Sequence, residues 1–203
     1  MITAEEALSR LKEGNQRFYS EDSQHKSMSS ERRRQLLVAD QEPFAIILGC
    51  SDSRVPAEII FDQGLGDLFV IRVAGNIVAP SQVGSIEYAV EKFGAPLVIV
   101  LGHSNCGAIQ STLDALAGKT DTSSHNLNSI VSRIKPVIET LYETDLKHDY
   151  EQLMKYSVRA NVRASVTHIR YSSPILERLV QQGKVAVVGA EYSLATGEVT
   201  FID

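Results

Sequence analysis

At 203 residues, with 43% hydrophobic and 22% charged content, the chain is long enough for a sizeable core and ordinary in composition for a globular protein. A formal net charge of −5 argues against nucleic acid as a partner. No apolar run approaches the roughly 20 residues of a membrane-crossing helix, and Met1-Ile2-Thr3-Ala4-Glu5-Glu6 lacks the basic and apolar regions of a signal peptide, so the chain reads as cytoplasmic.

Thr3 with Glu6 forms a capping-box pattern, and Ala4, Leu8, Leu11 and Phe18 recur at helical spacing behind it, predicting a helix over residues 4–19. A polar loop is expected over 20–30, then a short helix over 31–39 whose Arg32-Arg33-Arg34 run reads as a solvated face rather than an anion site. Pro43 marks the entry into a first strand, Phe44-Ala45-Ile46-Ile47-Leu48-Gly49, and residues 55–61 read as a helical turn. Gly64 and Gly66 signal a turn but lack the third glycine and the strand-to-helix setting of a dinucleotide motif. Residues 68–73 form a second strand, and 81–93 a helix with Val83, Ile86, Val90 and Phe93 on its core face and Gly94 as its stop.

A third strand is expected over 97–102 and a helix over 107–117, followed by a polar loop over 119–126. Residues 127–141 trace an amphipathic helix that Pro136 is expected to kink. Another helix covers 151–169, and Ser173-Pro174, a cap followed by proline at the first helical position, starts the last one. Strands over 184–189 and 198–202 close the chain. The fold class is therefore α/β: a mainly parallel sheet of four to five strands flanked by helices, with an N-terminal helical arm over 1–38 of a single domain spanning 1–203.

The chemistry gathers where two apolar runs stop. The first ends in Cys50-Ser51-Asp52-Ser53-Arg54, the second in Gly102-His103-Ser104-Asn105-Cys106-Gly107. Apolar runs bounded by turn signals read as buried parallel strands, and open α/β sheets bind ligands at the carboxyl edge of such strands. Cys50, His103 and Cys106 would meet there as two thiolates and one imidazole, ligands that zinc accepts. Three protein ligands leave a position for water, the pattern of a catalytic rather than a structural site. These are the only two cysteines. A disulfide conflicts with a cytosolic setting, and inert buried thiols conflict with the polar residues beside them in sequence. A thiol redox protein is disfavoured because the cysteines lie 56 positions apart with no C-x-x-C. His25, His125, His148 and His168 read as surface histidines.

Two thiolates nearly neutralise the metal's charge, so a bound water needs help to ionise. In an extended segment Cys50, Asp52 and Arg54 would share one side. Asp52 can then orient the water or become a fourth ligand in a closed state, while Arg54 holds Asp52 by a bidentate pair. Cys106 precedes a predicted helix whose N-terminus favours the thiolate, and the main chain at Gly107 is open to an oxyanion.

Together, Cys50-Ser51-Asp52-Ser53-Arg54 and His103-x-x-Cys106-Gly107 resemble the two signatures of the β-class carbonic anhydrases. The resemblance extends through Phe69-Val70-Ile71-Arg72, Gly84-Ser85-Ile86-Glu87-Tyr88-Ala89-Val90 and Gly189-Ala190-Glu191-Tyr192. It implies reversible hydration of carbon dioxide to bicarbonate and a proton, by attack of zinc-bound hydroxide, with one Zn²⁺ per chain. It implies Cys50, His103 and Cys106 as metal ligands, Asp52 and Arg54 as the catalytic dyad, and a substrate pocket of Gln41, Phe69, Ala74, Tyr88 and Gly107. It further implies a homodimer, or a tetramer of paired dimers, with the arm embracing a second subunit and the pocket at their interface. Of the three residues that a bicarbonate-inhibited subgroup of the family uses at a second, noncatalytic anion site, Arg72 and Tyr192 match, but Ile47 stands where the tryptophan is expected. The competing readings are hydrolysis of carbonyl sulfide or carbon disulfide on the same centre, and a noncatalytic zinc or bicarbonate binder. The intact pair of Asp52 and Arg54 counts against the latter.

Overall fold

The computed structural model describes residues 2–24, 41–119 and 124–202. Along the chain come α1 (Ala4–Tyr19), β1 (Ala45–Gly49), α2 (Ala57–Ile60), β2 (Leu68–Arg72), a 3₁₀ turn (Ala74–Asn76), α3 (Pro80–Phe93), β3 (Leu97–His103) and α4 (Gly107–Leu116). Then follow α5 (His125–Tyr142), a second 3₁₀ turn (Asp145–His148), α6 (Tyr150–Tyr171), α7 (Pro174–Gln181), β4 (Ala186–Tyr192) and β5 (Val199–Ile202). The helix expected over 31–39, its arginine run, and His25 lie outside the described residues.

The sheet has the order β2-β1-β3-β4-β5; the first four strands are parallel and β5 is antiparallel. β1 and β3 are buried on both faces, as the continuous apolar runs require. Alternation then splits them between two cores. Ile46, Leu48, Val98 and Val100 pack with α3, α6 and α7, whereas Ala45, Ile47, Leu97, Ile99 and Leu101 pack with Ala7 and Leu11 of α1 and Ile60 of α2. Because both strands are central and parallel, the chain leaves them at the same edge, with Cys50 directly after β1 and His103 at the end of β3.

The capping box of α1 is formed in both directions, Glu6 N–H to Thr3 Oγ1 at 3.1 Å and Thr3 N–H to Glu6 Oε2 at 2.7 Å. Asn15, buried on the same helix, donates to the carbonyls of Ile60 and Gly197 and accepts from Val199 N–H. Residues 4–19 of the expected arm thus contact their own sheet.

Several predicted boundaries move. α5 begins at His125, capped by Ser124, so two residues assigned to a loop are helical, and the helix runs on through Pro136. β4 reaches Tyr192 instead of stopping at Gly189. Gly189 lies within the strand: a Cβ there would stand 2.8 Å from Val162 Cγ1, and one at Gly102 would stand 2.5 Å from Val162 Cγ2. The two glycines lie inside neighbouring strands and let α6 settle onto the sheet.

Candidate metal centre

Cys50, His103 and Cys106 each bring a ligating atom within 4.8 Å of the other two. The cysteines are free, with sulfurs 4.0 Å apart; two sulfurs about 2.3 Å from one tetrahedral ion would be about 3.8 Å apart. Sequence neighbours suggested polar surroundings, but both thiols sit in an apolar cluster with Ile77, Ile109, Leu113, Ile134 and Met154.

His103 is wholly buried, and its Nε2 has no hydrogen-bond partner among the described residues. Its other nitrogen, Nδ1, lies 3.0 Å from the Ser104 carbonyl. A carbonyl only accepts, so Nδ1 carries the proton and Nε2 presents a bare lone pair. An orphaned lone pair beside two thiols is a costly arrangement unless a cation fills it, and the donor set suits zinc.

One S–H···S contact joins the two thiols. Bonding from Cys106 draws the Cys50 thiol down, and the Gly75 N–H, 3.3 Å from its sulfur, adds to this. Cys106 is pushed up as that donor and by burial, against the opposing N–H groups of Ile109 and Ala108 at the start of α4. A divalent cation would displace this proton and hold both sulfurs as thiolates.

Asp52 and Arg54 meet through a turn, not along an extended segment as expected. The Val55 N–H reaches the Asp52 carbonyl at 3.0 Å, and the Arg54 N–H reaches Asp52 Oδ1 at 3.0 Å, an Asx turn. That brings the guanidinium onto the same carboxylate, Nε to Oδ1 at 2.9 Å and Nη2 to Oδ2 at 2.7 Å. The Arg54 bonds hold the Asp52 carboxyl well below the usual range, and Asp52 in return raises Arg54. So engaged, Asp52 Oδ2 stands 4.0 Å from His103 Nε2, at the mouth of the ligand set.

The carbonic anhydrase family model matches residues 45–199. Carbonic anhydrase 2 of Mycobacterium tuberculosis is 41% identical over 195 residues, covering 95% of this chain and 90% of its own. The chain belongs to the β-class carbonic anhydrases. Among solved structures, the β-carbonic anhydrase CcaA superposes with a TM-score of 0.74 at 28% identity, covering 97% of this chain and 95% of its own. Two tetrameric β-carbonic anhydrases from Sordaria macrospora share the fold, with a TM-score of 0.75 at 23% identity over 98% of this chain and 95% of theirs.

Against this family's pattern, the pocket positions divide. Ala74 opens the 3₁₀ turn beside Cys50, and Gly107, exposed, starts α4 beside Cys106. Phe69 pairs with Ile46 near the opposite end of β1, four residues before Cys50 and roughly 13 Å along the strand. Tyr88 packs on Phe69, centroids 6.3 Å apart, and is 53% exposed. Gln41 is exposed, in the segment ahead of β1. A single chain therefore assembles the ligands, the dyad, Ala74 and Gly107, and leaves Gln41, Phe69 and Tyr88 apart.

Arg72 is engaged with the ligand loop: its Nε donates to the Cys50 carbonyl at 3.0 Å and its Nη2 to the Asp52 carbonyl at 2.6 Å. Ile47 and Tyr192 belong to the buried core beneath α1, and burial pushes the Tyr192 phenol up. His125, His148 and His168 are exposed, as expected. Sequence reasoning missed Arg72's tie to this loop and the role of Gly75. A usable signal existed for a third omission: Asn161 and Ser165 interrupt the apolar core-facing stripe of α6.

Proposed function

We propose that the chain catalyses the zinc-dependent, reversible hydration of carbon dioxide, CO₂ + H₂O ⇌ HCO₃⁻ + H⁺, at the Cys50, His103 and Cys106 centre. The observation that carries the reading is the buried, partnerless Nε2 of His103 facing two free thiols, with the Asp52–Arg54 pair at the rim. Cys50 and Cys106 would hold one Zn²⁺ as thiolates, and His103 would hold it through Nε2, its tautomer being set by the Ser104 carbonyl. Bound zinc supplies a Lewis acid that makes water nucleophilic near neutral pH.

The remaining work belongs to the chain. Asp52 Oδ2 accepts a hydrogen bond from the reacting water and turns its lone pair toward carbon dioxide. Arg54 occupies both carboxylate oxygens and so keeps Asp52 from becoming a fourth ligand. Arg72 fixes the main chain under both Cys50 and Asp52, so ligand and dyad keep their relative positions. Gly107 leaves its flank open, with nothing among the described residues within 4 Å of a would-be side chain, and substrate oxygen can approach the start of α4 there.

The pocket is completed by a second copy. Phe69, Tyr88 and Phe93 form an aromatic cluster at the β2 edge of the sheet, with Tyr88 open to solvent. In a dimer these side chains, with Gln41, supply the partner's site with an apolar slot for carbon dioxide and an amide for a substrate oxygen. Tetramers, the state named for the Sordaria enzymes, would be pairs of such dimers. Stopped-flow hydration on protein of known zinc content is the test. Turnover that tracks zinc content is expected, and full loading without turnover would sink the proposal.

A further inference from the structure

Gly75 is buried and left-handed, with φ 69°, and its N–H points at Cys50 Sγ. Its carbonyl accepts from Asn161 Nδ2 at 2.8 Å, and the next carbonyl, of Asn76, accepts from Ser165 Oγ at 3.2 Å. Both donors come from α6, and only 4% and 5% of their surfaces are exposed. The carbonyl accepts only, so Asn161 must present its NH₂ group here. Val162, the next residue, packs over Gly102 and Gly189, which fixes the height of α6 above the sheet and with it the reach of Asn161.

We infer that Asn161, backed by Ser165, is a positioning residue for the metal centre: it holds the Gly75 turn so that the Gly75 N–H stays on the Cys50 sulfur. The inference rests on the metal reading above. A thiolate that receives an N–H bond donates less electron density to its ion, so the contact tunes the centre as well as placing the sulfur. The apolar alternative was available at this site, since Val158, Val162 and Val166 fill neighbouring positions of the same helix face. A buried amide there has a specific carbonyl to hold, and that carbonyl belongs to the residue bonded to a ligand.

The test compares cobalt-loaded wild type with Asn161→Leu, which removes the donor at similar size, and with Ser165→Ala. Loss of the N–H bond raises the sulfur lone pair in energy, so the sulfur-to-cobalt charge-transfer band of Asn161→Leu moves to longer wavelength. Its zinc affinity, read by competition with a chromophoric chelator, falls about tenfold. Ser165→Ala moves both readings the same way by less, and it decides the matter if Asn161→Leu does not fold. A residue that only supports the fold lowers the melting temperature without moving the band. Bands and affinities unchanged from wild type in every folded variant overturn the inference. A wild-type chain that takes up neither cobalt nor zinc overturns the metal reading itself, and this inference with it.

Discussion

Replacing Gly75 by alanine tests how tightly the sheet edge is built around the cysteines. An alanine there must adopt a φ of 69°, which costs an L-residue about 1–2 kcal/mol. Its Cβ would also stand 2.9 Å from both Ala108 Cβ and Ile134 Cδ1. The isoleucine tip can rotate away, but Ala108 is fixed to α4 two residues from Cys106, so the overlap adds about 1–2 kcal/mol. Gly75→Ala should therefore destabilise the protein by about 2–4 kcal/mol, or roughly 4–16 °C in melting temperature for a chain of this size. Thermal and urea unfolding of the zinc-free and zinc-loaded forms read it directly. A loss below about 1 kcal/mol in both forms would refute the argument, because it would mean the turn can open without cost. Asn76, next in line, also has positive φ, 43°, but asparagine tolerates that region, so Asn76→Gly should leave backbone strain almost unchanged.

Arg54→Ala should keep its zinc and lose roughly 10²–10³-fold in kcat, since Asp52 is then free to bind the ion; equal zinc content with wild-type turnover would exclude the gatekeeping role. If the pocket is shared between copies, mixing inactive Arg54→Ala and Phe69→Ala chains should restore about one quarter of wild-type turnover, because half of the dimers then hold one intact site of two. No recovery after verified subunit exchange would count against a shared pocket. Acid should weaken the capping box: the Thr3 N–H lowers the Glu6 carboxyl below 4.5, so its contribution is complete above that value and lost as pH falls through the folded one. Glu6→Gln should thus be less stable than wild type at pH 7, with the gap closing below about pH 4.5; a gap independent of pH would mean that the charge is not involved. Thr3→Ala should cost about 1 kcal/mol, read by urea unfolding at neutral pH, where an unchanged midpoint would show that the cap adds nothing.

Much of the site was legible because its signals are local. The runs ahead of Cys50 and His103 declare buried parallel strands, and two such strands must end at a common edge, so the ligand set follows from composition and order alone. The capping box at Thr3 and the proline start at Ser173-Pro174 are equally local, and both are formed. The errors arose where a residue's meaning depends on something distant. The strand expected to end at Gly189 runs on to Tyr192, and the glycine's missing side chain has meaning only once Val162, on another element, is seen to fill its place. Ser51 and Asp52 suggest polar surroundings for Cys50, whereas its sulfur sits in an apolar cluster drawn from residues far along the chain.

Sequence by itself thus determined which atoms can bind a metal and which edge of the sheet carries them, since both depend on residue type and strand order. Tertiary structure alone decided how the centre is held. The bond from Asn161 to Gly75 spans 86 positions and the one from Arg72 to the Cys50 carbonyl spans 22. Neither leaves a periodicity to read, because a hydrogen bond between a helix and a turn is set by where packing places the helix, and here that is the fit of Val162 over two glycines.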